Sequence, residues 1–400
     1  MQEEVHCPVV QNDTLIRYPA GGSNQSGLRD QNARLVLSYL RRHGALPSAE
    51  IARRSGLSAQ TVSNIIRALT ADGLIARGAA IKGKVGKPSI PVGLNAEGVL
   101  SFGLSIGRRA TELVLVDFDG TVIDSRAITY PFPVIDDVFA FLRDSSDAIM
   151  ASRPGAPRLL AGIGVARPNN IWQWLEVVNA PAAALRAWRD LDLKQAVARA
   201  AGVEAFIEND ATSACVAEHL QGRGSEFSDF AYIFMGAFVG GGLVLNGTVV
   251  SGATRNAAAL GPLPVTLPDG GVTQLLNVAS LHVLETALVS RGIEPGALRA
   301  NPADWSAYEA DLAPWIENTA RYLAFVAAAV GSIVEVEAVL IDGAMPEDVR
   351  ARLTDATRRA FAGLDATGIE PLRIEEAAVG RRARSIGAAL LPIHARYFVA

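Results

Sequence analysis

The sequence predicts an α/β chain in which a small winged helix-turn-helix precedes a larger body of two similar α/β lobes. Residues 28–95 show three short amphipathic helix patterns, then two β-prone runs around a turn rich in glycine and lysine. From residue 99 onward, Ala-rich helical stretches alternate with Val/Ile/Leu runs, as in layered α/β folds. That alternation passes through two comparable rounds, the second beginning near Ala205, with no repeat at the level of sequence identity.

Residues 1–27 are mixed polar, with Glu3 and Glu4 early and no apolar core, and read as a flexible tail rather than a signal peptide. Ala33, Val36, Leu37 and Leu40 then fall at i, i+3, i+4 and i+7, one apolar face of a first helix. Arg41, Arg42 and His43 suit its last turn and Gly44 its stop. Ser48 is the expected N-cap of a short second helix through Ile51 and Ala52, ending at Gly56. Ser58 caps a third, with Val62, Ile65, Ile66 and Leu69 buried and Gly73 closing it. Two helices joined by a short Gly-containing turn are the helix-turn-helix pattern.

Facing that third helix's apolar stripe inward leaves Gln60, Thr61, Ser63, Asn64 and Arg67 outward. Their amide, hydroxyl and guanidinium groups are those that read base edges or hold phosphates, and Ser58 at the helix start joins them. Leu74-Ile75 and Ile90-Pro91-Val92 can pair around Lys82-Gly83-Lys84-Val85-Gly86-Lys87, a basic wing with Lys84 and Lys87 suited to phosphate or minor-groove contact. The alternative is a small helical bundle used for protein contact, its basic residues forming a solvated face.

Charge supports the nucleic-acid reading. The net charge of −4 divides into +8 over residues 28–94 and −12 over the remainder. A basic module on an acidic body is what polyphosphate recognition requires. Only Cys7 and Cys215 occur, far apart, which disfavours a disulfide framework or zinc cluster and fits a reducing cytoplasm. The uncharged stretch of residues 322–334 is too short to span a bilayer, so no membrane partner is expected.

In the body, β-prone runs occur at 102–106, 112–116 and 121–123, followed by a helix at 137–150 and a strand at 159–165. The second round holds strands at 205–207, 230–234, 242–245 and 248–250, with a helix from Ala211 and an Asn246-Gly247 hairpin turn.

The segment Leu57–Ile75, followed by Gly86-Lys-Pro-Ser-Ile-Pro-Val-Gly-Leu-Asn95, resembles the DNA-binding region of the ROK family of repressors, open reading frames and kinases. Gly162-Ile-Gly-Val165, Ile207-Glu-Asn-Asp-Ala-Thr-Ser-Ala214, Gly240-Gly-Gly-Leu-Val-Leu-Asn-Gly247 and Gly387-Ala-Ala389 extend that resemblance in the family's order over roughly residues 30–395. It implies a two-lobed, actin-like, sugar-kinase-like (ribonuclease H-like) ATPase fold for residues 99–400.

The departures concern catalysis. Active kinases of the family open the first lobe with a pattern like Asp-Ile-Gly-Gly-Thr-Lys; here the stretch is Ser105-Ile-Gly-Arg-Arg-Ala110. The second phosphate loop, there Gly-Thr-Gly-Ile-Gly-Gly-Gly, is Gly236-Ala-Phe-Val-Gly-Gly-Gly242. Phosphoryl transfer rests on positioning and charge neutralisation, so loss of both cradles predicts no kinase activity, no catalytic residue and no nucleotide cofactor. The family's sugar- and zinc-binding blocks align with Ala258-Ala-Leu-Gly-Pro262 and Leu267–Leu276, which lack the His, Glu and cysteines, so no metal is expected.

Asp210, preceded by Asn209, matches the family's base and sugar acceptor; alternatively the pair only caps the following helix. Trp172 and Arg167 complete the expected effector site, whose ligand is a sugar, a less hydroxylated or anionic molecule with charge supplied by Arg108, Arg109 or Arg167, or nothing. Loop packing or an interface is the competing role for Trp172 and Trp174. The resemblance implies a repressor of a carbohydrate-linked operon that binds a double-stranded operator as a homodimer or homotetramer. An active kinase with an appended DNA module and a ligand-independent scaffold are the alternatives.

Overall fold

The computed structural model describes residues 25–79, 90–153, 160–169, 171–173, 182–294 and 296–399. They divide into two compact units: one runs through Leu94 and takes in the residues from His394, the other is Asn95–Ile393.

The first unit holds α1 (Gln25–His43), β1 (Leu46–Pro47), α2 (Ser48–Ser55), α3 (Ala59–Ala71), β2 (Ile75–Arg77) and β3 (Pro91–Leu94). Val36, Leu37 and Leu40 of α1, Ile51 of α2, and Val62, Ile66 and Leu69 of α3 form its core with Leu74, Ile75 and Val92. Each such side chain contributes roughly 1.5–3 kcal/mol on leaving water. Gly56 ends α2 in the left-handed conformation (φ 71°), its N–H bonded to the carbonyl of Ala52. Ser58 caps α3 as expected, its side chain accepting from the N–H of Thr61. The start of α2 departs from expectation. Pro47, not Ser48, occupies the N-cap and supplies no side-chain cap. The reason lies in β1: Pro47 pairs with Pro91 in the sheet, which orders the strands β1-β3-β2 and carries extended backbone up to the helix. The C-terminal residues join this unit through buried Phe398, which lies under the Arg41 guanidinium at 4.8 Å. The N–H of Val399 donates to Ser38 Oγ at 3.0 Å.

The second unit builds the same sheet twice. Its first half contains β4 (Leu100–Ile106), β5 (Ala110–Val116), β6 (Val122–Thr129), α4 (Ile135–Ala151), β7 (Leu160–Arg167), α5 (Ala182–Asp190), α6 (Leu193–Ala201), β8 (Ala205–Asn209) and α7 (Asp210–Gln221). Its second half contains β9 (Phe230–Met235), β10 (Val239–Leu245), β11 (Thr248–Val249), β12 (Pro264–Thr266), β13 (Val272–Gln274), α8 (Leu281–Ser290), α9 (Ala297–Ala300), α10 (Glu309–Val334), β14 (Ala338–Gly343), α11 (Glu347–Ala362), β15 (Arg373–Glu376) and α12 (Ala383–Tyr397). The two large sheets run β6-β5-β4-β7-β8 and β11-β10-β9-β14-β15. In each, an antiparallel three-strand meander continues into two parallel strands. β4, β9 and β14 are buried along their whole length, as strands covered by helices on both faces must be.

Helix α12 begins in the second unit and ends in the first. In the body it passes so close to the first sheet that Cβ atoms would have no space at Gly103 and Gly164, where they would meet the backbone of Ser385, Ala388 and Ala389. Gly387 allows the same approach to the Ser213 carbonyl of α7. No helix among the described residues is long and apolar enough to cross a membrane.

Candidate nucleic-acid interface and ligand cavity

On α3 the sequence periodicity sorts the side chains. Val62, Ile66 and Leu69 are buried while Gln60, Ser63, Asn64 and Arg67 are exposed on the opposite side. Gln60 Nε2 donates to Asn64 Oδ1 at 3.2 Å, pairing two amides along one turn. Ser58 and Thr61 share a hydroxyl contact of 2.8 Å, so both serve the helix start as well as its surface. Thr61 is half-buried, whereas the others stand clear. The neighbouring helix α2 adds Arg53 and Arg54, whose side-chain hydrogen bonds to Glu50 hold that carboxyl down to about 2. Lys84 and Lys87 of the expected wing lie outside the described residues; the flanking strands β2 and β3 pair antiparallel from Ile75–Leu94 to Arg77–Val92.

In the body, a cavity of about 470 Å³ is lined by residues from seven separate segments. Asn209 and Asp210 stand at its edge because β8 ends there and α7 begins. Asn209 is the N-cap, its Oδ1 accepting from the N–H of Ala211 (2.9 Å) and Thr212 (3.2 Å). Asp210 Oδ1 accepts from Ala211 N–H at 3.1 Å, while Oδ2 faces Arg384 Nη1 at 3.7 Å. Capping thus occupies Asn209, and Asp210 keeps an oxygen directed to the cavity's cationic side. Glu208, immediately before them, is buried and its carboxyl is pushed up by that burial.

Arg108 follows β4 at the family's first phosphate loop. Its guanidinium lies 4.3 Å over the Phe238 ring, and burial pushes it down to about 10, opposed by Asp210 and reinforced by Arg384. Phe238 sits in the β9–β10 turn at the second loop, with the His282 ring 5.6 Å away. The turn is tied down by Val239 N–H to Ser280 Oγ and by the N–H groups of Leu281 and His282 to the carbonyls of Gly236 and Ala237. Arginine and phenylalanine therefore meet at the two turns that align with the family's glycine-rich loops. The retained glycines have a packing role: a Cβ at Gly240 would fall 2.7 Å from Ala211 Cβ, one at Gly241 would meet Leu260, and one at Gly242 would overlap Cys215.

Arg167 and Trp172 sit beside the described lining, with Arg167 near enough to Asp210 to feel its charge. Arg167 Nη1 donates to the carbonyls of Pro168 (3.1 Å) and Asn169 (2.8 Å), and burial lowers its pKa. Trp172 packs on the first-lobe core beneath it, with the guanidinium 5.9 Å from the ring. Neither lines the cavity as described; Asn169, between them, does. Arg384 was not legible as a site residue, since α12 brings it in from 174 positions beyond Asp210. The Leu267–Leu276 segment forms the β12–β13 turn and sends Leu275 and Leu276 into the core. Among the described residues, no three His, Cys, Asp or Glu side chains gather at metal-binding distance.

A family model described as the ROK family matches residues 101–395, and one described as winged helix-turn-helix DNA-binding matches residues 29–76. The uncharacterized protein y4fQ of Sinorhizobium fredii is 25% identical over 373 residues, 92% of each chain. A xylose repressor of Caldicellulosiruptor bescii is 24% identical over 282 residues, 68% of this chain and 70% of that protein. A solved ROK family transcriptional regulator, a homolog of the E. coli MLC protein, shares the fold with a TM-score of 0.67 at 22% identity, covering 92% of this chain and 97% of that one.

Proposed function

Since this chain belongs to the ROK family and carries a winged helix-turn-helix DNA-binding domain, we propose that it is a transcriptional repressor whose kinase-like body senses a small molecule and transfers no phosphate. The observation that carries the regulator reading is the exposed Gln60-Ser63-Asn64-Arg67 face of α3, set on a packed helix-turn-helix. Such a helix enters the major groove, with amides and a guanidinium directed to base edges. A homodimer doubles the contact and matches a palindromic site, since one module alone gives too little affinity and register. The relatives named as xylose repressors support a carbohydrate-linked operon as the target.

The cavity around Asp210 is the effector site in this reading. A ligand there alters operator affinity only by binding the DNA-competent and released states unequally. Arg108 and Phe238 stand against phosphoryl transfer, because together they occupy both phosphate-facing turns. Purified protein incubated with genomic fragments at moderate salt should enrich a palindromic site. Asn64→Ala with Arg67→Ala should lose it while the protein stays folded. Unchanged enrichment would remove α3 from the interface, and turnover of ATP with any hexose would remove the non-catalytic reading of the body.

A further inference from the structure

We propose that the ligand of the body cavity is a small polyhydroxylated anion whose carboxylate or phosphate lies between Arg108 and Arg384, with a hydroxyl donated to Asp210. This rests on the effector reading of the cavity and specifies its ligand class. The charges lining the cavity as described are Arg108, Arg384 and Asp210, an excess of one positive charge. Neighbouring groups do not cancel it. Glu208 turns its Oε1 to the N–H of Asn209 at 2.8 Å, and burial favours its neutral form. Arg167 and Arg255 are spent on backbone carbonyls, Arg255 on that of Ile207 at 2.8 Å, yet both add positive potential.

The two arginines are also held in orientation. The Arg108 guanidinium carbon lies 4.3 Å over the Phe238 ring, and that of Arg384 lies 5.2 Å over Phe234. Stacking on a ring fixes the plane of a guanidinium and leaves its edge for an oxyanion, which suits bidentate recognition. Arg384 has little else to satisfy it: Asp210 is 3.7 Å away and its buried Nε has no hydrogen-bond partner among the described residues. A second carboxylate-like group would compensate both cations in a site of low dielectric. The stretch Ala257-Ala258-Ala259-Leu260-Gly261-Pro262 supplies no charged or hydroxyl side chain, while Asn169, Asn256 and Gln274 of the same lining offer amides to the ligand's hydroxyls.

The test is calorimetric titration of the full chain with matched probes: glucose, gluconate, glucose 6-phosphate and inorganic phosphate. One or both organic anions should bind, glucose should not, and the pair separates a carboxylate from a phosphate preference. Arg384→Gln, at a half-exposed position, should weaken the bound anion about 10- to 100-fold with little change in melting temperature. Arg108→Lys should weaken it in the same direction, confirming the second cation without emptying the core. Tight binding of glucose that Arg384→Gln leaves unaltered would overturn the anion assignment while the effector reading stands. No heat from any probe, or from the wider set of aldoses, aldonates and sugar phosphates, would overturn both.

Discussion

Adding one methyl group at Gly164 would set strand β7 against helix α12. The new Cβ would overlap the carbonyl oxygen of Ala388 and lie 2.5 Å from its carbon. Restoring ordinary contact means opening that gap by about 1.5 Å in an interior packed at crystal-like density. The helix has no free direction in which to retreat. Gly103 brings β4 against Ser385 and Ala389 on the same side, and Gly387 seats α12 on the Ser213 carbonyl of α7. Ala388, Ala389 and Leu390 are fully buried. Overpacking typically costs 1–3 kcal/mol, and an obstacle made of backbone puts Gly164→Ala near the top, about 3 kcal/mol. Gly164 is not among the positive-φ residues, so the cost is steric rather than conformational. Gly202→Ala is the reference: φ is +67° with nothing within 4 Å, so only the left-handed backbone cost of about 1 kcal/mol applies. Urea unfolding of the full chain, followed by tryptophan fluorescence, should rank Gly164→Ala below Gly202→Ala by about 2 kcal/mol. Because α12 carries Arg384, ligand affinity should fall with it. Equal stability of the two variants would refute the close-packing account of the body's glycines.

Three further outcomes are expected. Ser58→Ala should destabilise the first unit by about 1 kcal/mol in thermal melts through loss of the α3 cap, whereas Ser48→Ala, at a position that caps nothing, should change little. Arg67→Ala should leave stability within about 0.5 kcal/mol; if Arg67 holds a phosphate, the slope of log K against log salt on duplex DNA becomes shallower by about 0.9. An unchanged slope would assign it to base reading or to solvent. Asp342 is buried and accepts from Tyr232 Oη at 2.7 Å and from the N–H groups of Gly343 and Gly380, with Arg350 at 3.4 Å. Asp342→Asn should cost about 3 kcal/mol, since the new amide group turns a donor toward either the Tyr232 and Gly380 donors or the Gly343 and Arg350 donors. Burial raises this carboxyl above its ordinary 3.8, so the folded state holds the extra proton. Its stabilisation is full below the unfolded value and is lost as pH rises through the folded one. The cost of Asp342→Asn, measured by urea titration, should be larger near about pH 4 than near about pH 7.5; the opposite trend would mean the folded carboxyl titrates low.

Local chemistry was legible without coordinates. The i, i+3, i+4 spacing of Val62, Ile66 and Leu69 located the buried face of α3, and Ser58 marked its start, because periodicity and capping act within a few residues. The resemblance of four short motifs in order led to a two-lobed body, and the two sheets share one topology. Ser48 misled because a cap-type residue in sequence says nothing of a strand arriving from 44 positions away at Pro91. The role of the glycines also belonged to tertiary structure: Gly240, Gly241 and Gly242 resemble a phosphate loop in sequence, yet in space they admit Ala211, Leu260 and Cys215. Nor could spacing reveal that Arg167 pairs with the Trp172 ring, or that Arg384 lines the cavity. The sequence determined by itself the helix-turn-helix, the charge division and the altered phosphate loops, since each is written in contiguous residues. The ligand cavity was decided only by the fold, because its walls come from segments that meet when two sheets and α12 close-pack, and contact energy does not follow chain order.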